Sequence, residues 1–110
     1  MLLNDDDGKY LLKIARTAIL KKIKNNEKIK VPEDCPEHLK EILGVFCTIN
    51  ENNELRGCIG YPEPVKPLVQ ALIDVAISAA IADPRFPSLK NEELEKAIQQ
   101  PRLPGNFKEA

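Results

Sequence analysis

The chain has 110 residues, of which 43% are hydrophobic and 30% charged, a composition that excludes a disordered chain and suits one small domain. Its 16 Lys and Arg residues nearly balance its 17 Asp and Glu residues, so no general positive field is available to hold nucleic acid or an anionic membrane. The sequence contains no apolar run of about 18 residues and no signal peptide pattern, so we expect a cytoplasmic protein with reduced thiols.

The aspartates at positions 5–7 introduce the first predicted element. Apolar residues recur at helical spacing over residues 9–24, which predicts an amphipathic helix, and lysines lie near its end. Acidic residues at a helix start and basic residues at its end both stabilise the helix dipole. We therefore interpret the three aspartates as a helix start and not as metal ligands. After a polar connection with two prolines, a short helix is predicted over residues 37–43.

A hairpin is predicted next, because "GVFCTIN" has the β-branched and aromatic residues of a strand and the two asparagines of "ENNE" suit a tight turn. Residues 55–59 then return as the antiparallel partner. The register stays open at this point. A two-residue turn places Cys47 opposite Cys58 and would permit a redox couple, whereas a three-residue loop places Thr48 opposite Cys58.

The next predicted helix is almost entirely apolar. Over residues 68–82 only Gln70, Asp74 and Ser78 are polar, and their spacing of four places them on one narrow stripe of a buried helix. The pair Asp83-Pro84 ends this helix. A short helix is predicted over residues 91–98, and the tail at residues 99–110, with two prolines and a glycine, is predicted to be irregular.

Three motifs occur in order along the chain: "LRGCIG" at residues 55–60, "AAIADPRFP" at 79–87 and "EEL" at 92–94. Together with the strand "VFCTI" and the leading helix "LLKIARTAI", they resemble the AMMECR-one domain family, which in prokaryotes includes protein A of the AmmeMemoRadiSam system. The resemblance covers residues 8–98. It implies an α+β fold in which helices pack against an antiparallel sheet, with a partial domain at residues 1–98 and an irregular tail at 99–110.

The same resemblance implies that the sheet is truncated at the C-terminus, because family members continue with a further strand. An exposed sheet edge would follow, which a partner chain or a second copy of this chain would cover. The resemblance also implies membership of a protein-modification system with Memo-like and radical S-adenosylmethionine proteins, one of which would be the partner. It identifies the cysteine of the "RGCIG" motif, Cys58, as a candidate active-site residue. We expect no cofactor and no metal site.

The residues around Cys58 allow two interpretations. A thiol becomes nucleophilic when a positive charge or backbone N–H groups stabilise its thiolate, and Arg56 shares the face of Cys58 if no bulge intervenes. Gly57 and Gly60 would then leave access to the thiol, or a glycine bulge would turn N–H groups toward an anion. Alternatively, Cys58 is a small core residue and the two glycines pack under the apolar helix.

The other candidate site residues also allow both a functional and a structural interpretation. Asp83 and Arg85 of "DPRFP" form either a pair that faces a substrate or a helix stop with a local ion pair. Asp74 either orients a group in the site or bonds a backbone donor or Arg85. His38 is the only histidine available as a base, but it lies outside the motifs.

Two functions from different classes follow. One is a Cys-dependent enzyme in which Cys58, Arg56, Asp83 and Arg85 line one cleft. The other is a non-catalytic module that binds a protein partner, with Arg56, Gly57, Gly60, Asp83 and Arg85 at the binding surface. We favour the binding module, because a truncated sheet would hold a catalytic geometry poorly. Nucleic-acid binding is disfavoured by the charge balance.

Overall fold

The computed structural model describes residues 4–61, 64–94 and 97–102. In chain order its elements are helix α1 (Asp5–Asn25), a 3-10 helix (Glu37–Lys40), strands β1 (Val45–Glu51) and β2 (Glu54–Tyr61), helix α2 (Leu68–Ile81), a second 3-10 helix (Asn91–Glu93) and strand β3 (Ala97–Arg102). The strands form one sheet in the order β2-β1-β3, and both pairings are antiparallel. The predicted antiparallel sheet with helices packed against it is confirmed. Within the described residues, no helix combines the length and apolarity that crossing a membrane requires.

Helix α1 begins in a capping box, so the aspartates at positions 5–7 lie in its first turn. The Asn4 side chain accepts a hydrogen bond from the Asp7 N–H at 2.8 Å, and the Asp7 carboxylate accepts one from the Asn4 N–H at 3.1 Å. Asp7 is buried, and its second contact is His38 of the first 3-10 helix, at 2.7 Å from Nε2 to Oδ1. His38 therefore ties the start of α1 to the segment that leads into β1.

The hairpin turn is formed by Asn52 and Asn53, which both have positive φ, of 55° and 63°. Two consecutive residues in the left-handed region are typical of the type I′ turn, whose twist matches that of the strands it joins. Asparagine tolerates this conformation better than most residues. The two-residue turn considered from the sequence is the one observed, with Glu51 opposite Glu54.

Both registers considered from the sequence occur, one on each side of a β-bulge. Near the turn Asn50 pairs with Leu55, but beyond it Ile49 pairs with Gly57, so Arg56 is the extra residue of β2. Thr48 consequently lies opposite Cys58. The prediction that Cys47 and Cys58 could form a redox couple is wrong, because Cys47 pairs with Ile59 instead of Cys58.

Strand β3 corrects two predictions. Residues 99–102, expected in the irregular tail, pair with β1 from Phe46↔Arg102 to Glu51↔Ala97, whereas residues 103–110 lie outside the described residues. The helix expected over residues 91–98 is confined to the 3-10 turn, and Ala97 already belongs to the strand. Pro101 indicated coil because proline lacks an N–H donor. An edge strand is hydrogen-bonded on one side only, however, so it can accommodate proline.

The core lies between the helices and one face of the sheet. Val45, Cys47 and Ile49 alternate along β1 and are buried, as expected for the covered face of a strand. Helix α2 packs on β1 and β2, while α1 packs beside α2 and reaches β3. Ten of the 14 residues of α2 are buried, which confirms the predicted apolar helix surrounded by other elements.

Candidate functional site

Cys58 points away from helix α2. Gly57, its neighbour in β2, faces the backbone of α2, and successive residues of a strand face opposite sides of the sheet. The Cys58 thiol lies 3.4 Å from the Thr48 hydroxyl, directly across the hairpin. Cys58 is half-buried, whereas Cys35 and Cys47 are buried, and no disulfide joins any of the three. The interpretation of Cys58 as a core residue beneath the helix is therefore wrong.

The two glycines of "LRGCIG" each allow a different group to lie close to the strand. A methyl group on Gly57 would overlap the backbone carbonyl oxygen of Ala79, so this glycine allows α2 to lie close to the sheet. A methyl group on Gly60 would overlap the ring of Phe46, which lies opposite in β1. Gly57 thus packs under the helix as the structural interpretation required. Gly60 is covered by an aromatic ring on the other face, so it does not open a path to the thiol.

Asp83 and Arg85 form the predicted local ion pair, and they place it against the backbone of Cys58. The buried Asp83 carboxylate accepts hydrogen bonds from the Cys58 N–H at 3.0 Å, the Arg85 N–H at 3.0 Å, and Arg85 Nε and Nη2 at 3.1 and 2.8 Å. The hydrogen bonds from Arg85 hold the pKa of the Asp83 carboxyl well below its usual range. Arg85 Nη2 also approaches the Cys58 carbonyl oxygen, at 3.5 Å. Both backbone polar groups of Cys58 thus face this pair.

Arg56 is bonded within the fold, and its partners are not the Cys58 thiol that it was expected to stabilise. Its Nε and Nη2 donate to the two carboxylate oxygens of Glu93 at 2.9 and 3.0 Å, and its Nη1 donates to the Pro87 carbonyl at 2.9 Å. Only 13% of the Arg56 side chain is exposed. The hydrogen bonds from Arg56 hold the pKa of Glu93 at about 2, although burial acts in the opposite direction. Arg56 therefore fastens the bulge of β2 to the segment after α2.

Phe86 joins the two arginines. The Arg85 guanidinium carbon lies 5.4 Å from the centre of the Phe86 ring, and the Arg56 guanidinium carbon lies 5.9 Å from it. Both distances fall within the range of cation–π attraction. The structure thus brings Cys58, Asp83 and Arg85 into direct contact and adds Arg56 through Phe86.

Several expectations about the surrounding groups are corrected. The Cys58 N–H is bonded to Asp83, so it is not turned toward an anion, and the bulge falls at Arg56 and not at a glycine. Among the described residues, Asp74 is bonded not to a backbone donor or Arg85 but to the side chains of Lys28, Lys66 and Gln70. In the part of the chain that the structure describes, no group of three or more His, Cys, Asp and Glu residues is arranged to hold a metal ion.

Three contributors to the site were missed from the sequence. The sequence leaves the position of Thr48 open between two registers, and it assigns no role to Phe86 and Glu93, which lie inside the "DPRFP" and "EEL" motifs. The pairing of Arg56 with Glu93 spans 37 positions. No periodicity reports a contact of that kind. The occurrence of both motifs in one chain was the only signal that could have linked them.

Comparison with known proteins decides the family. The sequence profile of the AMMECR1 family matches residues 12–109. The chain belongs to the AMMECR1 domain family. A protein of Methanothermobacter thermautotrophicus is 52% identical over 93 residues, covering 84% of this chain and 48% of the relative. One from Pyrococcus abyssi is 45% identical over 101 residues, covering 87% and 49% respectively.

The fold of this AMMECR1 chain matches that of a solved structure. The crystal structure of the uncharacterised protein PH0010 from Pyrococcus horikoshii superposes with a TM-score of 0.89 at 42% identity, covering 92% of this chain and 52% of that one. This AMMECR1 chain therefore spans about half the length of the relatives it matches.

Proposed function

We propose that this AMMECR1-domain protein is a non-catalytic binding module that recognises a protein partner. The observation that supports this most strongly is the state of Arg85, whose side chain is 56% exposed although Asp83 and the backbone hold it in place. An exposed but positioned guanidinium loses little rotamer freedom when it binds a carboxylate. The surface that we propose for binding is the Arg85 surface, defined as Arg85, Phe86, Cys58 and Thr48.

The geometry of Arg85 suits an acidic partner residue. Its Nε and Nη2 are used by Asp83, whereas its Nη1 has no hydrogen-bond partner among the described residues. The Phe86 ring beside it offers an apolar surface next to the charge. Arginine and phenylalanine are both residue types enriched at the core of protein interfaces. A glutamate or aspartate of the partner would meet Nη1.

The surroundings of Cys58 support binding over catalysis. A nucleophilic thiol needs a base within hydrogen-bond reach or a cation committed to its thiolate. Among the described residues, the group within hydrogen-bond distance of the Cys58 sulfur is the Thr48 hydroxyl, which is a poor base, and the sequence's only histidine, His38, is paired with Asp7. Arg56 is committed to Glu93. These contacts leave Cys58 as a surface thiol within the proposed interface.

The identity of the partner is proposed from the family resemblance. AMMECR1-like proteins are associated with Memo-like and radical S-adenosylmethionine proteins, so we propose that one of these two binds the Arg85 surface as part of a protein-modification system. A shared pathway makes direct contact between its members a reasonable first experiment. The proposed module would position a partner or its substrate and leave the chemistry to that partner.

The experiment measures binding of the 110-residue chain to the purified Memo-like and radical S-adenosylmethionine proteins of the same genome, by biolayer interferometry. Arg85→Ala should weaken binding of one of them by at least about tenfold, as expected for loss of a charge-assisted hydrogen bond. The matched control is Arg16→Ala, which removes an arginine from the exposed face of α1 and should change the affinity less than about twofold.

Two further measurements keep this experiment decisive. Circular dichroism and urea unfolding of Arg85→Ala, and of Arg85→Lys, which retains the positive charge, separate loss of binding from loss of the fold. A partner affinity that is equal for the unaltered chain, Arg85→Ala and Arg16→Ala would exclude the Arg85 surface as the binding site. Absence of binding to either protein at about 100 μM would exclude the proposed partners.

One observation favours a second function, in which Cys58 acts as a nucleophile. Arg85 Nη2 lies 3.5 Å from the Cys58 carbonyl oxygen, so a positive charge is close to this residue. Half-exposure alone would make Cys58 react faster than the buried Cys35 and Cys47, so comparison among the three thiols does not test activation.

The decisive comparison is with a small thiol. A nucleophilic Cys58 should react with iodoacetamide at pH 6 at least about tenfold faster than glutathione does, and Arg85→Ala should remove that advantage. A binding module predicts a rate equal to or below that of glutathione, with no dependence on Arg85. Peptide mass spectrometry assigns the modified residue, and Cys58→Ser provides the background.

A further inference from the structure

A second polar site lies on the helix side of the hairpin, away from the Arg85 surface. The last turn of α1, the connection after it, the end of β2 and the middle of α2 surround an open pocket with a volume of about 250 Å³. Three lysines from three different parts of the chain line it, together with one acid and two hydroxyl-bearing side chains: Lys22, Lys28, Lys66, Asp74, Tyr61 and Ser78. We name it the lysine pocket.

The lysine pocket has an excess of positive charge. Asp74 is buried, and its two carboxylate oxygens contact Lys28 Nζ at 2.5 Å and Lys66 Nζ at 2.6 Å. Burial pushes the pKa of the Asp74 carboxyl upward, but the hydrogen bonds from the two lysines outweigh it and lower the pKa overall. One negative charge therefore faces two ammonium groups, and Lys22 adds a third that contacts no acid among the described residues.

The positions of two of the lysines, Lys28 and Lys66, are constrained by their contacts with Asp74. Lys66 lies 5.2 Å from the centre of the Tyr61 ring, within cation–π range, while also donating to Asp74. Gln70 donates to Asp74 at 3.2 Å from the preceding turn of α2, which fixes the carboxylate. Ser78, one turn after Asp74, lines the same pocket. The contacts with Asp74 thus hold Lys28 and Lys66, which are both partly exposed, at the wall of an open volume.

We propose that the lysine pocket binds a small phosphorylated molecule. Three ammonium groups against one carboxylate leave about two positive charges, which matches the charge of −1.5 to −2 of a phosphomonoester at neutral pH. The volume holds about eight water molecules at roughly 30 Å³ each, enough for a phosphate group with a short organic substituent. A carboxylate ligand would compensate only one charge of the two.

The lysine pocket is independent of the Arg85 surface. Tyr61 lies on the same face of β2 as Gly57, which packs against α2, whereas Cys58 points to the opposite face. A ligand in the lysine pocket would therefore contact the helices without covering Cys58 or Arg85.

The test is a titration of the isotopically labelled 110-residue chain, followed by NMR of the backbone amides. Orthophosphate and glycerol 3-phosphate are added separately at low salt. Binding in the lysine pocket should give saturable shifts at Lys22, Lys66 and Ser78, and an affinity that falls as the salt concentration rises. Tighter binding of glycerol 3-phosphate indicates a phosphorylated metabolite, and equal affinities indicate free phosphate. Both results support the site.

Neighbouring lysines supply a matched pair of variants. Lys22→Gln removes the lysine that has no acid partner and should weaken phosphate binding by at least about tenfold, whereas Lys21→Gln removes the same charge from the exposed face of α1 and should change it less than about twofold. The Lys22 side chain makes no hydrogen bond or ion pair among the described residues, so Lys22→Gln should keep the fold, which the dispersion of the amide spectrum checks directly. Equal effects of the two variants, saturable shifts with glycerol alone, or no saturable shift up to about 20 mM would overturn the proposal.

Discussion

At the scale of single residues, Gly57 and Gly60 show that two glycines in one motif can have different tasks. Gly57 lies against a backbone carbonyl of α2, which the rest of the helix holds in place, whereas Gly60 lies against the ring of Phe46, which can rotate. Overpacking costs most where the neighbouring atoms cannot move. The two positions should therefore differ in their tolerance of a methyl group, although both belong to "LRGCIG".

Gly57→Ala should destabilise the protein by about 3 kcal/mol, the upper end of the usual cost of overpacking, because Ala79 cannot yield without shifting α2. Gly8→Ala is the matched control. Gly8 lies in α1 with no atom near its missing side chain, so the same substitution should stabilise the protein by about 0.5–1 kcal/mol. Urea unfolding measures both values. Equal and small effects would mean that Gly57 does not determine the distance between α2 and the sheet.

Whether Phe46 is the reason for glycine at position 60 can be tested by making the Phe46 side chain smaller. Gly60→Ala alone should destabilise the protein, and Phe46→Leu in the same background should recover part of that loss because the smaller side chain leaves room for the methyl group. A double-mutant cycle on urea unfolding free energies gives the coupling between the two positions. Additive effects would show that Phe46 is not the group that requires glycine.

At the scale of elements, Asp83 and Arg85 act on the outer edge of β2. In the order β2-β1-β3, no described residues form a strand on the outer side of β2, and an unpaired edge can associate with other chains. The Asp83 carboxylate and the Arg85 guanidinium replace a neighbouring strand at Cys58 by bonding its N–H and approaching its carbonyl. The "DPRFP" segment is thus both the stop of α2 and a side-chain cover for the sheet edge.

The substitution Asp83→Asn tests whether Asp83 protects the backbone of Cys58 at the sheet edge. The amide side chain accepts more weakly than a carboxylate and loses the ion pair with Arg85, so the Cys58 N–H should exchange with solvent at least about tenfold faster. Asp34→Asn, at an exposed position in the connection after α1, should leave the exchange of Cys58 unchanged. The measurement is amide hydrogen exchange by NMR. Unchanged protection of Cys58 in Asp83→Asn would show that another group satisfies this N–H.

The hairpin shows how far the elements could be predicted from the sequence. The type I′ turn and both strands follow from the local chemistry of Asn52 and Asn53 and from the β-branched residues. The bulge at Arg56 does not, because the choice between two registers depends on the contact of Gly57 with α2 and of Arg56 with Glu93. Those contacts are long-range, and no local pattern reports them.

The same limit explains the other misses. Helix α2 was predicted correctly from its apolar run, and its polar stripe was recognised, but the lysine partners of Asp74 lie on two loops that precede α2, one after α1 and one after β2. Strand β3 was missed because Pro101 disfavours a central strand, and its place at the edge of the sheet is a property of the whole sheet. Sequence patterns report the element, whereas its neighbours are decided by the assembled fold.

At the scale of the whole molecule, the ion pair of Arg56 with Glu93 connects the hairpin to the segment after α2, so its loss should affect the stability of the domain. Glu93 has a pKa of about 2 in the fold against 4.5 ordinarily, chiefly because Arg56 bonds its carboxylate. An acid whose pKa is lowered in the folded state stabilises the fold above its unfolded pKa and loses that contribution as the pH falls through the folded value. The stabilisation should therefore be complete above about pH 5 and disappear toward about pH 2.

Glu93→Gln should lower the free energy of unfolding by about 1–3 kcal/mol at pH 7, and the difference from the unaltered protein should shrink steadily between pH 5 and about pH 2. Glu92→Gln is the matched control, because Glu92 is exposed and adjacent, and its curve should stay within about 0.5 kcal/mol of the unaltered protein. Urea unfolding across this pH range provides the curves. A difference that stays constant with pH would mean that Glu93 stabilises the fold by its shape and not by its charge. The charged form is lost when the carboxylate binds a proton, so a contribution from charge must change with pH.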